Sequence, residues 1–555
     1  MGPLAGGKQD GMIADRDVSL AVTSDLWWKN AVVYCLDVET FQDSDGDGVG
    51  DFRGLTERID HIAALGASCL WLMPFYPTPD LDDGYDVTDY TSVDPRLGTM
   101  GDFVGFLRTA RDRGLRVIAD FVVNHTSDQH PWFQAARSDP ASPYRDYYVW
   151  VDEPPDGDAE PVFPGPEESV WQWDEQAGQY YLHRFFRHQP DLNSANPAVR
   201  DEIEQAMGFW LELGVSGFRV DAVPYFVEQL VEPHEAADDP QAWLRELRAF
   251  VTRRRGDAVL LGEVNLRPDA LLPYFRDAGG EKLHMLFDFV GNQALYLALA
   301  REDPEPLARA LGDLPRLPGA NQWARFVRNH DELTLDQLAD DERDEVFAAF
   351  APEEDMRIFG RGIRRRLPSM LEGDRRRLEL VYSLLFALPG TPVLLYGEEI
   401  GMGDNLEARG RMSVRTPMQW ADEPSAGFST APPEGLCIPT AHGALGPGRV
   451  NVAAQEHDPG SLLNWTTRIV RLRRQTPEIG FGAWTIVPVS APSVFAHRCD
   501  WRGRTVVCVH NLAGREAGFR LEGLEGLVDL FTGKPAAPDV ELAPYGYRWF
   551  RTGGP

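Results

Sequence analysis

The chain has 555 residues, 43% of them hydrophobic, which is enough to bury the core of one large α/β domain together with smaller accessory domains. Its formal net charge of −32 argues against nucleic acid or an anionic membrane as the main partner, because both are themselves negatively charged. No run of 18 apolar residues is present, so the sequence predicts no transmembrane helix.

Residues 1–25 are small and polar, and we expect them to form a disordered leader. They lack the basic segment followed by an apolar segment that a secretory signal requires. A soluble, cytoplasmic protein is therefore expected, and a homo-oligomer remains open.

Eight short apolar runs of β type follow, most of them preceded by a helical pattern such as 55–66 or 102–114, which end at glycine. Strands that alternate with helices indicate a parallel βα architecture. Eight such units predict a closed (β/α)8 TIM barrel, formed by residues 26–125 and 196–482. The predicted strands are 31–36, 68–73, 115–123, 217–221, 258–263, 285–290, 324–329 and 392–397.

Two further regions interrupt or extend the barrel pattern. Residues 126–195, between the third and fourth predicted strands, are rich in proline, aspartate and aromatic residues and are too long for a plain βα connection. We expect them to form a small inserted domain at the catalytic face. From 483 to 555 short alternating strands follow one another, which predicts a C-terminal antiparallel β-sandwich domain.

Residues 43–51, "DSDGDGVGD", match the first half of an EF-hand calcium loop. Position 12 of that loop requires glutamate and is Gly54 here, so a calcium sensor is not indicated. A bound Ca²⁺ is favoured over a solvated acidic turn, because closely spaced carboxylates repel one another without a cation. The predicted ligands are Asp43, Asp45, Asp47, the Val49 carbonyl and Asp51.

Polar residues cluster at the ends of predicted strands three, four, five and seven. A barrel places its active site at the C-terminal ends of its strands. Like charges gathered there push pKa values apart, so one carboxyl group can stay protonated while an arginine holds another ionised. The residues are Asn124, His125, Arg219, Asp221, Glu263, His330 and Asp331.

These strand ends resemble the signature regions of the α-amylase family of glycoside hydrolases. The resemblance covers about residues 27–550 and implies a retaining double displacement. Asp221 would be the nucleophile, Glu263 the general acid and base, and Asp331 the stabiliser of the distorted sugar. The matching motifs are "VVNHT" (122–126), "QPDLN" (189–193), "GFRVDAV" (217–223), "GEVN" (262–265) and "VRNHDE" (327–332).

The same resemblance implies a sugar pocket closed at the non-reducing end, and hence an exo-acting enzyme on short α-glucosides. The stretches "DDGYDVTDY" (82–90) and "VRTPMQW" (414–420) would contribute to this pocket. Arg219 would orient the nucleophile. The residues implied to hold substrate are Asp82, Tyr85, His125, Arg219, His330 and Arg415.

Two calcium sites are implied by the resemblance. The loop 43–51 is similar to the structural calcium loop of the oligosaccharide-acting branch of the family, where it stabilises the connection after strand one. A second site, between barrel and inserted domain, would use Asn124 and Asp191, with Glu228 as a further candidate ligand.

Within the family, several segments resemble the trehalose synthases, which interconvert maltose and trehalose in a closed pocket. "CLDVETF" (35–41) and "GEVN" depart from that pattern. Three functions stay open: maltose–trehalose interconversion, hydrolytic or transglycosylating α-glucosidase activity, and a catalytically inactive binding subunit. We expect 398–429 and 450–466 to close the pocket mouth. The resembling segments are 124–133, 218–226, 328–336, 398–405, 415–429 and 450–466.

Overall fold

The computed structural model describes residues 26–155, 160–227 and 241–552. The predicted leader and Glu228 lie outside these residues. Among the described helices, none is long and apolar enough to cross a membrane.

Eight parallel strands close into a barrel in which each strand pairs with its neighbours in chain order. The predicted (β/α)8 TIM barrel is therefore confirmed. The strands are buried almost throughout, as expected of a parallel sheet covered by helices. They are β1 (Val33–Leu36), β2 (Cys69–Leu72), β3 (Arg116–Phe121), β4 (Gly217–Val220), β5 (Val259–Gly262), β6 (Met285–Phe287), β7 (Gln322–Phe326) and β8 (Thr391–Leu395).

The sequence placed the seventh strand at 324–329, whereas β7 ends at Phe326. Its last pairing joins Phe326 to Val393 of β8. Asn329, His330 and Asp331 therefore lie in the loop beyond the strand, where their side chains are not constrained by the alternation of the sheet.

The helix Phe52–Leu65 shows how local sequence builds the outer layer. The Asp51 carboxylate caps its N-terminus by accepting hydrogen bonds from the N–H groups of Arg53 and Gly54. The predicted glycine cap is confirmed, because Gly66 ends the helix in the left-handed region with φ 98°. Its buried residues recur every three or four positions and face the barrel.

The helices of the described chain cover the barrel and link it to the other regions. They are Phe52–Leu65, Met100–Asp112, Pro131–Ser138, Pro197–Leu213, Val223–Val227, Ala242–Arg254, Pro268–Phe275, Phe289–Arg301, Glu305–Asp313, Asp340–Phe350, Leu367–Met370, Arg375–Ala387, Val452–Glu456, Leu462–Arg474 and Pro477–Phe481.

Between β3 and β4 the chain forms a separate small sheet of three antiparallel strands, Trp150–Val151, Gln179–Leu182 and Trp171–Asp174. A small apolar cluster, with Val170, Trp171 and Leu182 buried, holds this sheet together. Two main-chain hydrogen bonds, Leu192 N to Asn124 O (2.8 Å) and Thr126 N to Pro190 O (3.2 Å), tie both ends of the region to the end of β3. The region therefore sits at the catalytic end of the barrel, and its boundaries at 126 and 195 remain a prediction.

The C-terminal region is an antiparallel β-sandwich. Its two sheets enclose a second apolar core that includes Val507, Val509, Phe519 and Val540. The six-stranded sheet contains Ala483–Ile486, Val494–Trp501, Arg504–Asn511, Tyr547–Thr552, Leu527–Asp529 and Pro535–Ala536, and the two-stranded sheet pairs Ala517–Arg520 with Asp539–Leu542.

The sandwich packs on the barrel through the helix Arg375–Ala387. The Ser383 hydroxyl lies 2.9 Å from His510 Nε2 and accepts a hydrogen bond from the Trp549 indole N–H (3.1 Å). Trp549 is fully buried, so this contact belongs to the core rather than to a loose domain interface.

Candidate active site

The three carboxyl groups predicted to be catalytic converge on one cavity. Asp221 and Glu263 immediately follow β4 and β5, and Asp331 lies in the loop after β7. All three line a cavity of about 330 Å³ at the C-terminal ends of the strands. This volume is at the small end of the range for ligand pockets, about 300–1,000 Å³, which favours a short substrate.

Six of the predicted site residues line the cavity directly: Asp82, Tyr85, His125, Asp221, Glu263 and Asp331. Arg219, His330 and Arg415 are each about 1% exposed or less and stand immediately behind them. The residues implied to touch substrate therefore fall into an inner set and a supporting set.

Arg219 joins the two carboxyl groups that the resemblance names as nucleophile and acid. Its Nη1 donates to Asp221 Oδ1 (2.5 Å) and to Asp120 Oδ1 (2.8 Å), and its Nη2 donates to Glu263 Oε2 (2.7 Å). The Ala222 N–H also donates to Glu263 Oε2 (3.2 Å). One planar guanidinium thus fixes both carboxylates relative to each other.

The environment separates the pKa values of these two groups. Burial raises the pKa of Glu263 to about 7, with Arg219 opposing that effect. Burial also raises the pKa of Asp221, to about 6, and Arg219 again opposes it. Near pH 6.5 the site can therefore hold Glu263 protonated and Asp221 ionised, which is the pairing that acid-assisted displacement requires.

The pKa of Asp331 is shifted in the opposite direction to those of Asp221 and Glu263. Burial alone would raise its pKa, but His330, Arg411 and Arg415 hold the pKa well below its ordinary value. His330 Nε2 lies 3.1 Å from Oδ2, and Arg415 Nη2 lies 3.0 Å from Oδ1. Asp331 is therefore a permanent carboxylate near neutral pH, suited to accept hydrogen bonds from sugar hydroxyls or to stabilise positive charge.

Tyr85 lines one wall of the pocket, and His330 supports it from behind. Their rings stack with centroids 5.7 Å apart, and the Tyr85 hydroxyl lies 2.7 Å from His330 Nε2. The same hydroxyl donates to Asp120 Oδ2 (2.9 Å). On the other side, His125 Nε2 has no hydrogen-bond partner among the described residues, and burial lowers the pKa of His125 to about 4. A neutral imidazole that lines the cavity and has an unpaired ring nitrogen is suited to bind a sugar hydroxyl.

Arg411 is a site residue that the sequence reasoning missed. It lines the cavity and donates from Nη1 to Asp331 Oδ1 (2.5 Å) and from Nη2 to Asp82 Oδ1 (2.6 Å). Arg415, which was expected in the pocket, contacts Asp331 from behind and is 1% exposed. Arg411 precedes Arg415 by about one helical turn. The motif "VRTPMQW" (414–420) begins after Arg411, so it did not indicate that Arg411 lines the cavity.

Aromatic residues form the mouth of the cavity, beside Arg411. Phe163 and Phe185, from the inserted region, and Tyr225, after β4, line it. Phe163 packs against Phe359 (centroids 4.9 Å), and Arg361 Nη2 donates to the carbonyl of Val162 (2.8 Å). Phe359 and Arg361 belong to the hairpin Arg357–Ile358 and Gly362–Ile363.

Of the two segments expected to close the mouth, 398–429 contributes a residue there, because Arg411 lies 5.0 Å from the centre of the Phe163 ring. Of the cavity-lining residues in the described chain, 398–429 supplies Arg411 and 450–466 supplies none. The contact between the inserted region and the 357–363 hairpin, which the sequence did not predict, narrows the mouth beside Arg411. That contact joins segments nearly two hundred residues apart, and no local pattern announces it.

The sequence pattern described as "alpha amylase, catalytic domain" matches residues 37–349 and 359–482. The chain belongs to the α-amylase family. The trehalose synthase of Pimelobacter sp. (strain R48) is 43% identical over 553 residues, which cover 95% of the chain and 96% of that relative. The oligo-1,6-glucosidase of Parageobacillus thermoglucosidasius is 30% identical over 563 residues, with 89% and 92% covered.

Among solved structures, trehalulose synthase MutB from Pseudomonas mesoacidophila MX-45 has a TM-score of 0.76 and 27% identity, with 95% of the chain and 99% of that structure covered. A MutB variant in complex with glucose gives a TM-score of 0.77 at 28% identity, with the same shares covered. The chain is thus an α-amylase-family enzyme, similar over nearly its whole length to trehalose synthases and α-glucosidases.

The two departures from the trehalose synthase pattern do not reach the cavity of this α-amylase-family enzyme. Val264 is 1% exposed and belongs to the barrel core. Asp37 and Glu39, in the "DVET" segment, are buried behind the pocket, where Asp37 accepts hydrogen bonds from the Glu39 N–H (2.9 Å) and the Thr40 hydroxyl (3.1 Å). Both departures therefore act on the site only through the residues in front of them.

The loop 43–51 of this family member fits a calcium ion in part. Carboxylate oxygens of Asp43, Asp45 and Asp51 lie within 4.8 Å of one another. Ligands 2.3–2.6 Å from one ion are separated by no more than about 5 Å, so these three can share a coordination sphere. Asp47 is outside the group, and its Oδ1 accepts the Val49 N–H (2.9 Å). The calcium call itself remains a prediction.

Asn124 and Asp191 do come together, but they fit a second calcium ion poorly. Asn124 Nδ2 donates to Asp191 Oδ1 (3.0 Å), and Arg184 Nε lies 3.5 Å from Asp191 Oδ2. A guanidinium thus supplies the positive charge at this carboxylate. We assign no step of the chemistry to a metal there.

Proposed function

We propose that this enzyme interconverts maltose and trehalose by transferring a glucosyl group within one closed pocket. The observation that carries the proposal is the small size of the cavity and the contacts that narrow it. Arg411 joins Asp82 to Asp331 and lies 5.0 Å from the centre of the Phe163 ring, which packs in turn on Phe359. A small cavity narrowed by these contacts suits a disaccharide better than a polymer.

The chemistry proposed is a retaining double displacement. Glu263 donates its proton to the glycosidic oxygen while Asp221 attacks the anomeric carbon, so the C–O bond breaks and a glucose leaves. The product is a β-glucosyl ester of Asp221. In the second half, the Glu263 carboxylate takes the proton of the attacking hydroxyl, and the new bond to the anomeric carbon displaces Asp221.

The identity of the attacking hydroxyl decides the product. Water gives hydrolysis, whereas the anomeric hydroxyl of the trapped glucose gives the 1,1 linkage of trehalose. A glucose that cannot leave is present at an effective concentration far above that in bulk solution. The aromatic mouth supports this outcome because it delays both the escape of glucose and the entry of water.

The relatives support the same choice. Five curated relatives at 42–43% identity over 95% of the chain are named trehalose synthase or trehalose synthase/amylase. Relatives named α-glucosidase or oligo-1,6-glucosidase follow at 30–32% identity. Hydrolytic or transglycosylating α-glucosidase activity is therefore the second candidate. An inactive binding subunit is not favoured, since the three carboxyl groups converge.

The deciding experiment is incubation with maltose in the presence of isotopically labelled free glucose. We expect trehalose as the main product, largely unlabelled, because the transferred glucose does not exchange with the solution. Heavily labelled trehalose would show that the intermediate glucose escapes. Free glucose as the dominant product would establish the α-glucosidase instead.

A substitution at the mouth of the cavity tests whether the aromatic contact there retains the glucose. Phe359→Ala should raise the share of glucose and the labelling of trehalose, because it removes the ring that packs on Phe163. Phe531→Ala, at an exposed aromatic residue of the C-terminal sandwich, is the matched control and should leave both unchanged. An unchanged product ratio in Phe359→Ala would remove the mouth from the explanation.

We also propose a structural Ca²⁺ held by Asp43, Asp45 and Asp51. The three carboxylates would supply oxygen ligands of the type that Ca²⁺ prefers, and the ion would stabilise the connection between β1 and the helix Phe52–Leu65. No step of glucosyl transfer requires it.

A further inference from the structure

Asp82 and Asp83 are adjacent in sequence but face opposite sides of the pocket wall. Asp82 lines the cavity, whereas Asp83 is 6% exposed and its Oδ2 accepts a hydrogen bond from Arg415 Nη1. The backbone of Asp83 has φ 52°, in the left-handed region that non-glycine residues seldom adopt. The chain thus adopts an unfavourable conformation in which Asp83 points at Arg415.

The Arg415 guanidinium donates hydrogen bonds to three different groups. Nη1 donates to Asp83, Nη2 donates to Asp331 Oδ1 (3.0 Å), and Nε donates to the main-chain carbonyl of His330 (2.8 Å). The side chain is 1% exposed, so these contacts are sheltered from water. Arg415 therefore holds both the carboxylate of Asp331 and the peptide that precedes it.

The charges around Arg415 show what Asp83 adds. Asp331 is contacted by two arginines, Arg411 from the cavity and Arg415 from behind. Without Asp83, Asp331 would be the one carboxylate among the described residues that bonds directly to Arg415, and the attraction of this sheltered ion pair would draw the two together. Asp83 attracts Nη1 of the same guanidinium, and so opposes a movement of Arg415 towards Asp331.

The neighbouring acidic groups do not replace Asp83. Carboxylate oxygens of Glu39, Asp80 and Asp83 lie within 4.8 Å of one another, yet they pair with different cations. Arg96 Nη1 lies 3.3 Å from Glu39 and 2.7 Å from Asp80, whereas Asp83 contacts Arg415. Arginines thus supply the positive charge of this cluster, and only Asp83 among the three bonds to Arg415.

We propose that Asp83 is a positioning residue for glucosyl transfer, acting through Arg415 to place the carboxylate of Asp331. The inference rests on the proposed function in so far as Asp331 stabilises the transition state. It does not depend on whether the product is trehalose or glucose. A carboxylate displaced by a fraction of an ångström still binds a sugar but no longer matches the distorted ring, so the effect falls on kcat.

The first test compares Asp83→Asn with Asp80→Asn. Both replace an aspartate of the same turn by its uncharged isostere, and Asp80 contacts Arg96 rather than Arg415. Turnover is measured as total consumption of maltose and of p-nitrophenyl α-glucoside. We expect Asp83→Asn to lower kcat about 10- to 100-fold with KM changed less than about 3-fold, and Asp80→Asn to stay within about 2-fold. Equal effects of the two variants would overturn the proposal.

The second test is a double-mutant cycle with Arg415→Gln. If Asp83 acts through Arg415, adding Asp83→Asn to Arg415→Gln should cost less than about 2-fold more in kcat. Losses that multiply would show that Asp83 acts by another route. Asp83→Glu keeps the charge and should retain more kcat than Asp83→Asn, whereas equal losses would reduce Asp83 to a packing residue.

A binding measurement separates this proposal from the proposed function. Calorimetry with 1-deoxynojirimycin, a glucose-shaped cation, reports on the pocket without turnover. We expect affinity to fall about 10-fold or more in Asp83→Asn and to be unchanged in Asp80→Asn, even if the enzyme makes no trehalose. Unchanged affinity and unchanged kcat in Asp83→Asn would reject the role of Asp83 while leaving the proposed reaction intact.

Discussion

Arg411 donates a hydrogen bond to Asp331, Nη1 to Oδ1 at 2.5 Å, across 80 residues of sequence. Its second nitrogen, Nη2, bonds to Asp82 at 2.6 Å, so one side chain joins the two acidic groups at the end of the pocket. The Arg411 guanidinium also lies 5.0 Å from the centre of the Phe163 ring. The charged end of the pocket and its aromatic mouth therefore meet at a single residue.

We predict that Arg411→Met raises KM and lowers kcat, with a loss in kcat/KM of about 100-fold or more. The arginine holds Asp82 and Asp331 together, and without it two carboxylates that line the same pocket repel each other. Arg409→Met, at an exposed position two residues earlier, is the control and should behave as the wild type. Steady-state kinetics on maltose measure both, and a normal KM in Arg411→Met would contradict the prediction.

Variants of Asp221 and Glu263 should separate the role of the nucleophile from that of the general acid and base. Asp221→Ala should abolish turnover of every α-glucoside, because no covalent ester can form. Glu263→Gln should abolish turnover of maltose yet retain more activity on p-nitrophenyl α-glucoside, whose leaving group needs little protonation. Circular dichroism verifies that both variants fold. Substantial activity of Asp221→Ala on maltose would remove it as the nucleophile.

The pH dependence of kcat/KM should be bell-shaped with its maximum between about 6 and 7. Asp221 must be ionised, so activity falls as the pH decreases through its pKa of about 6. Glu263 must be protonated, so activity falls as the pH rises through its pKa of about 7. The two groups share Arg219, and the observed limbs belong to the pair. A rate that is flat from pH 5 to 9 would rule out this assignment.

The sequence predicted the site best where a catalytic residue directly follows a strand of the barrel. Asp221 and Glu263 follow buried strands directly, so the strand pattern alone predicted that they would converge. Arg411 and Asp83 were missed because their roles depend on loops whose paths are set by long-range contacts. The spacing of residues in a loop does not say which side chain faces the cavity, whereas the alternation of a strand does.

The contact at the mouth of the cavity could not be predicted from the sequence for the same reason. Phe163 and Phe359 meet only because the inserted region and the 357–363 hairpin lie over the same end of the barrel. Each is an ordinary aromatic residue in its own segment. The sequence indicated that a long insertion lies at the catalytic face, but not which other loop it touches.

The calcium proposal predicts that a chelator lowers the melting temperature far more than it lowers activity at low temperature. An ion that binds the folded state with a Kd 100-fold below its free concentration stabilises that state by about 2.7 kcal/mol. The stabilisation acts on the loop between β1 and the helix Phe52–Leu65, away from the reacting groups. Thermal unfolding with and without added Ca²⁺, beside a rate measurement at low temperature, makes the comparison.

Two substitutions in the loop decide which carboxylates bind the ion. Asp45 belongs to the group of three whose oxygens converge, and Asp47, equally acidic and also exposed, does not. Asp45→Asn should therefore abolish most of the stabilisation by Ca²⁺, and Asp47→Asn should retain it. Asp51 is unsuited to this test, because its carboxylate also caps the following helix. A melting temperature that chelation leaves unchanged would mean that the loop is held by the hydrogen bonds its carboxylates accept, without an ion. Equal losses in both variants would restore Asp47 as a ligand.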